Sequence, residues 1–416
     1  MILEKSGKVW YCIMRLKTGD VKMDTRYEYK KALKIGTVSI FSYIASYYMR
    51  HILGVSTPGM LENGLFTKEF VGTLSSVYFL IYAIGQLING VIGDTAKPKI
   101  MVSGGLIVCG AVSVLFSFIE IKALQILCFA VMGFALSMLR GPLVKTISEN
   151  TLPQYARVCC VFFSFASFAG PLIASGLSIL FDWKMTFIVS GLMTVAIGVC
   201  AYTVLTVLER KNVIRFSVSR KKDGIKNIFA AFKLEKFVFY MFVGALVEIS
   251  AASIGFWMPT YLSERLGYAE DTAKLIFSGM SVISAVTPFI SLAIFKLFKE
   301  KDVKMIRYAF ILSVIMFAGV LVITNKYVNV VLMLLARMAV GAASALLWSV
   351  YIPSQGKSGL VSTINGVLDF SGYLAASILN AVFAFTMNSV GWNGIIVMWV
   401  ALMAFGVVST FMVKKK

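Results

Sequence analysis

Twelve stretches of about 20 mainly apolar residues follow one another along this chain, at approximately 36–56, 70–93, 99–119, 122–145, 157–181, 185–208, 236–262, 271–297, 304–324, 328–350, 359–386 and 393–413. A helix needs about 20 apolar residues to cross the hydrocarbon of a bilayer, and lipid offers no partner to an open backbone group. Runs of this length are therefore read as helices that satisfy their own peptide groups. Hydrophobic residues make up 58% of the 416 and charged residues only 14%, too little polar surface for a protein bathed in water on every side. The expected fold class is an all-α membrane protein of twelve transmembrane helices.

The segment 209–235 is a long cationic connection, with Arg210, Lys211, Arg215, Lys226 and Lys233 among its basic residues, and it divides six spans from six. The expected organisation is an N-terminal segment 1–35, a six-helix bundle 36–208, a linker 209–235 and a second bundle 236–413. A weak internal repeat supports two pseudo-symmetric halves. Phe134–Arg140, after Gly133, can be laid on Ala342–Trp348, after Gly341, which makes the fourth and tenth spans counterparts. Phe181-Asp-Trp183 and Val390-Gly-Trp392 repeat the same theme before the last helix of each half.

The formal net charge of +20 sorts by side. One side receives the N-terminal cluster, Lys97, Lys99, Lys145, Arg157, the middle connection and Lys414–Lys416, whereas the other receives Lys68, Lys122, Lys184, Arg265, Lys274 and Lys326. Cytoplasmic loops carry the excess of Lys and Arg, so both termini and the linker are expected in the cytoplasm of a cell bounded by this plasma membrane. The basic balance thus reports topology and headgroup contact, and nucleic acid is not an expected partner. The six cysteines lie in the basic N-terminal segment or inside apolar runs without metal-ligand spacing. They read as packing residues, with no metal or cofactor. Within residues 1–34 a patch at Val9–Met14 is too short to span and suits the interface, and a translation start at Met23 is an alternative reading of the same segment.

Where the second span ends, the chain reads Tyr82-Ala-Ile-Gly-Gln-Leu-Ile-Asn-Gly-Val-Ile-Gly-Asp-Thr-Ala-Lys-Pro-Lys99. Gly85, Asn89 and Gly93 leave one helix face nearly bare, so another backbone can approach it closely. Asp94 sits at the membrane boundary, where a carboxylate needs a Lys or Arg, or the positive N-terminal end of a neighbouring helix. Pro98 starts the next helix. This stretch resembles the loop-2/3 signature of the major facilitator superfamily, and within it the organophosphate:phosphate antiporter branch, which includes the glycerol-3-phosphate transporter. Tyr82, Gly90, Asp94, Pro98 and Lys99 match that pattern, whereas Gln86 stands where the branch has lysine and Thr95 where it has arginine. By this resemblance Gly90, Asp94 and Lys99 form a conformational gate, and the first, fourth, seventh and tenth spans line a central cavity.

Ionisable residues inside spans cost about 2.5–3.5 kcal/mol each or more at a helix centre, so each calls for a partner or a wet cavity. The candidates are Arg50, Arg140, Glu248, Arg337 and Asp369, and four of the five fall on the spans that the resemblance assigns to the cavity. Ala45-Ser-Tyr-Tyr-Met-Arg50-His51, followed by Pro58, resembles the first-helix motif whose arginine binds the substrate phosphate in the organophosphate branch. A planar guanidinium donates two parallel hydrogen bonds to a phosphate or carboxylate. His51 takes the place of the family's lysine, and its imidazole can titrate near neutral pH. Trp257-Met-Pro259-Thr-Tyr-Leu262 matches the seventh-span motif, but Ala251 stands where that branch has its second phosphate-binding arginine, and the branch's fifth-span histidine is replaced by the Phe163–Phe168 run.

These residues give a substrate site of Arg50, Arg140, Arg337, Tyr48, Tyr82, Gln86, Trp257 and Trp348. Glu248 serves either proton coupling or an ion pair with Arg337, and Asp369 is expected to pair with Arg337. The expected function is secondary transport of a small organic anion, phosphorylated or carboxylated, by a monomer whose halves rock around a midplane site, with protons as the coupling ion. A multidrug exporter that attracts cations with Glu248 and Asp369, and a membrane ligand sensor that does not transport, are the alternatives. No nucleophile–base pair or phosphate-cradling glycine loop points to an enzyme.

Overall fold

The computed structural model describes residues 25–62, 66–215, 224–411 and 413, so Val9–Met14, Met23 and the terminal Lys414–Lys416 lie outside the described residues. The first half comprises α1 (Thr25–Glu62), α2 (Lys68–Thr95), α3 (Pro98–Phe116), α4 (Lys122–Ser137), α5 (Arg140–Asn150), α6 (Pro153–Leu180) and α7 (Trp183–Arg210). A short α8 (Gly224–Phe232) lies in the linker. The second half holds α9 (Phe237–Thr260), α10 (Glu270–Ala285), α11 (Thr287–Leu297), α12 (Asp302–Val322), α13 (Lys326–Leu346) and α14 (Val361–Ser409). Among the described residues, nine helical stretches are long and apolar enough to cross a membrane, with α4 and α5 forming one of them. The pair α10–α11, bent by 40°, makes a tenth. The long α1 and the part of α14 before Gly391 complete the twelve expected segments.

Local chemistry sets the boundaries. Pro98 and Pro153 open α3 and α6, where a missing N–H costs nothing. Asp182 caps α7 by accepting from Met185 N at 2.9 Å, and Asn325 caps α13 by accepting from Tyr327 N and Val328 N. Hydropathy misplaced other limits. The first helix starts at Thr25 rather than near 36, because Ala32 and Ile35 are fully buried and carry it past the end of the apolar run. The linker expected at 209–235 contains α8. The eighth span bends just before Pro288, whose ring cannot continue the preceding helix. The last two spans run on as one helical trace interrupted at Gly391, whose φ of 60° and ψ of −169° suit a residue without a Cβ.

Within the first half α3 packs on α7, α1 on α6 and α2 on α4; within the second, α9 packs on α14 and α12 on α13. The halves meet mainly where α14 lies against α2 and α5, and where α6 meets a π-helical turn, Leu347–Tyr351, that extends α13.

Candidate functional site

The seam between the halves is closed beside the Asp94 turn. Asp94 is fully buried, and its Oδ1 and Oδ2 accept from the backbone N–H groups of Ser362 at 2.8 Å and Thr363 at 2.9 Å. Those amides belong to the first turn of α14, so the carboxylate sits at the positive end of that helix. Of the two kinds of partner expected for Asp94, the structure supplies the helix end. Lys145, only 1% exposed, donates to the carbonyls of Gly93 at 3.2 Å and Asp94 at 2.6 Å, where the C-terminus of α2 carries negative charge. One turn earlier, a Cβ on Gly90 would come within 2.9 Å of Gly366 Cα and 3.0 Å of Ser362 O. Any side chain there would force the halves apart.

Arg157 adds an ion pair to Glu300 at 2.8 Å between α6 and the turn after α11. Lys99, expected with Gly90 and Asp94 in a gate, pairs with Glu209 at 2.5 Å, which ties α3 to α7 inside one half.

Away from this seal lies a cavity of about 720 Å³, lined from both halves by Tyr43, Tyr47, His51, Arg140, Ser164, Glu248, Phe277, Arg337, Trp348 and Tyr373 among others. Four spans that ought to line it, the first, fourth, seventh and tenth, contribute Tyr47, Arg140, Glu248 and Arg337. The fourth span is broken at Met138–Leu139, which places Arg140 in the first turn of α5. Its Nη1 donates to Asp369 Oδ1 at 2.9 Å, its Cζ lies 3.8 Å from the centre of the Trp348 ring, and its buried Nε has no hydrogen-bond partner. Asn365 Nδ2 completes the carboxylate by donating to Asp369 Oδ2 at 2.8 Å.

Asp369 thus pairs with Arg140 and not with Arg337, because α14 faces α5 across the seam. Arg337 stands elsewhere on the cavity wall, its guanidinium 5.6 Å from the Phe277 ring. Glu248 lines the same cavity, is half-buried over Gly372, and makes no ion pair among the described residues, so of its two alternative roles the ion pair with Arg337 is not formed.

Arg50 is placed differently from expectation. It lines a side pocket of about 260 Å³ rather than the large cavity, and only His51 lines both. Its guanidinium lies 4.9 Å from the Tyr47 ring centre and 4.5 Å from that of Tyr82, and Nη1 donates to Tyr373 Oη at 3.1 Å. Nε and Nη2 are buried without a hydrogen bond. The aromatic faces hold the cation away from the cavity in this state.

Tyr82 and Gln86 are buried behind that wall, with Gln86 Nε2 donating to Tyr82 Oη at 2.5 Å. Tyr48 is hydrogen-bonded to Thr194 on α7 at 2.7 Å, leaving Tyr47 and Tyr43 to face the cavity. Trp257 packs near Trp392, ring centres 6.2 Å apart, outside the cavity lining. Sequence reasoning missed Lys145, counted only as a loop cation, and Tyr373, although its position four residues after Asp369 puts both on one face of α14.

The sequence pattern of the Major Facilitator Superfamily matches residues 37–380. Among curated proteins, the membrane sensor protein UhpC of Salmonella typhimurium is 22% identical over 282 residues, covering 62% of each chain. The chain therefore spans about three fifths of the length of that relative. The glycerol-3-phosphate transporter of Bacillus subtilis is 21% identical over 419 residues, 92% of each chain. Such relatives are those of the organophosphate:phosphate antiporter branch. Among solved structures, the transporter FucP in its outward conformation superposes with a TM-score of 0.73 at 10% identity, covering 93% of this chain and all of that one. With the pattern spanning most of its length, and two helical halves closed over one face of a shared cavity, this chain belongs to the Major Facilitator Superfamily of multi-pass membrane transporters.

Proposed function

We propose that this protein moves a small organic anion, phosphorylated or carboxylated, across the plasma membrane by alternating access, with both termini in the cytoplasm. The observation that carries the reading is the cavity between the halves, where Arg140 and Arg337 stand with Glu248 on one wall system. Asp369 holds Arg140 at 2.9 Å across the seam. An arriving phosphate or carboxylate offers the guanidinium a second acceptor of the same geometry, and competes with Asp369 for it. Because Asp369 belongs to α14, whose first turn also holds Asp94, that competition loosens the helix that seals the opposite face.

Arg140 and Arg337 on the cavity wall, with Arg50 behind Tyr47, outnumber the two carboxylates Glu248 and Asp369, a surplus of one positive charge that becomes two when Glu248 takes a proton. A phosphate monoester carries about −1.5 to −2 at pH 7, which that surplus matches. Glu248 is thus the group through which proton movement couples to cargo. The similarity to relatives named for glycerol-3-phosphate and for hexose phosphate supports the phosphorylated class.

The test is counterflow of labelled glycerol-3-phosphate and a short dicarboxylate in liposomes, alongside the Arg337→Gln variant. Saturable uptake that the variant loses, with the protein still folded, is the expected result; wild-type flux in the variant removes Arg337 from the site. The similarity to a protein named as a membrane sensor favours one second reading. Saturable binding without flux would establish it.

A further inference from the structure

The helices α1 and α7 touch at the hydrogen-bonded hydroxyls of Tyr48 and Thr194. Toward the ends that carry Lys34 and Lys211 a second cavity of about 770 Å³ lies between them, as large as the one between the halves. Its wall is aliphatic and aromatic, with exposed Phe41, Val204 and Val207. The α7 side of it belongs to a membrane-crossing segment, so the groove opens onto lipid tails. Among the described residues, Lys34 and Lys211 are the ionic groups that line it, and no carboxylate does. Because α1 leaves, and α7 returns to, the face that carries the Asp94 turn, both ammonium groups stand at the same end of the groove.

We propose that this groove is a specific site for an anionic phospholipid, with an acyl chain between α1 and α7 and the headgroup phosphate at Lys34 and Lys211. The tail gains by filling apolar concave surface, and the phosphate gains from two cations at the headgroup level. A zwitterionic lipid brings its own ammonium against those lysines and loses most of the second gain. A soluble protein cannot reach a groove set at this depth.

Cys200 makes the site measurable. It lines the groove and is exposed, whereas Cys109, Cys128, Cys159 and Cys160 are buried. In the full-length protein carrying Cys12→Ser, the rate of Cys200 alkylation is followed while phosphatidylglycerol or phosphatidylcholine is titrated into the micelles. Protection is expected at a roughly thirtyfold lower concentration of the anionic lipid, falling to about fivefold in Lys34→Gln or Lys211→Gln and vanishing in the double variant. Native mass spectrometry of Val207→Trp, which fills the groove, is expected to show the phosphatidylglycerol adduct lost. Water-soluble glycerol phosphate, a headgroup without tails, is expected not to protect; protection by it would mean an anion site and no lipid site. Equal half-points for the two lipids, or a preference that survives in the double lysine variant, would overturn the proposal. So would shielding of Cys200 without added lipid that Trp10→Ser with Ile13→Ser removes, since the chain's own N-terminal segment would then be the occupant.

Discussion

The fourth and tenth spans, counterparts in the two halves, meet at the centre of the molecule and show what the halves share and where they part. The repeat that aligns Phe134–Arg140 with Ala342–Trp348 puts Arg140 opposite Trp348, and the guanidinium of one lies 3.8 Å from the ring centre of the other. Equivalent residues of two halves related by a pseudo-two-fold axis touch only if they lie close to that axis. The glycines that precede them behave alike as well: a Cβ on Gly133 would meet the backbone of Tyr78 on the second span, and one on Gly341 would meet Thr287 on the eighth. Both spans lose regular geometry at this level, the first by a break at Met138–Leu139, the second by a π-helical turn at Leu347–Tyr351. The scaffold is therefore repeated while the chemistry is not. At the axis one half brings the cation Arg140; the other brings the ring of Trp348 and, through α14, the carboxylate of Asp369.

Breaking that asymmetry at Arg140 has the largest expected effect. Arg140→Gln leaves Asp369, which is 2% exposed, without its counter-charge, and losing one partner of a buried ion pair costs about 3–5 kcal/mol. Thermal unfolding in a fixed detergent should show this as a large fall in midpoint. Adding Asp369→Asn should return most of the stability without returning anion binding, because the neutral pair has no charge to offer cargo. An Arg140→Gln variant as stable as the parent would mean that the ion pair closes nothing.

Much of this was legible in the residues, for identifiable reasons. The spans could be read because lipid forces helices, and Asp94 could be read because a carboxylate at a membrane boundary has few partners; it found a helix N-terminus. The repeat around Arg140 and Trp348 was visible as a weak alignment. What it could not reveal was helix rotation. Tyr47 and Tyr48 are adjacent, yet one faces the cavity and the other bonds to Thr194, and a difference of 100° about the axis of α1 has no signature in composition. The same limit assigned Asp369 to Arg337 in place of Arg140, since partner choice across the seam depends on which face of α14 looks at α5. Arg50 was legible as a buried cation that needs company, but not as one held by the rings of Tyr47 and Tyr82.

The second repeated theme sharpens the comparison. Trp183 and Trp392 both open the last helix of a half, and both pack on aromatics, Trp183 with Phe66 at 5.3 Å and Trp392 with Tyr261 at 5.2 Å between ring centres. The residue before each differs: Gly391 takes a backbone conformation that only glycine adopts without strain, so Gly391→Ala should cost about 1–3 kcal/mol, read as a lower unfolding midpoint. At the axis, Trp348→Leu removes the ring face from Arg140 while keeping apolar bulk. A loss of about 1–2 kcal/mol is expected, together with weaker anion binding, if the ring helps to hold the guanidinium in place. Unchanged affinity for anions would make Trp348 a packing residue and leave orientation to Asp369 alone.

The smallest effect belongs to the counterpart of Gly391. Asp182 is exposed and contributes one cap bond, from Met185 N at 2.9 Å, to the first turn of α7. Asp182→Ala should therefore cost about 0.5–1 kcal/mol, and Asp182→Asn, which keeps an acceptor oxygen, only a few tenths. Hydrogen exchange at the Met185 amide separates the two, since alanine frees that N–H and asparagine does not. If Asp182→Ala instead lowers the midpoint as far as Gly391→Ala, the aspartate must also hold the turn against the helices beneath Trp183. The two turns would then be equivalent in energy as well as in position, and the difference between the halves would be confined to the axis.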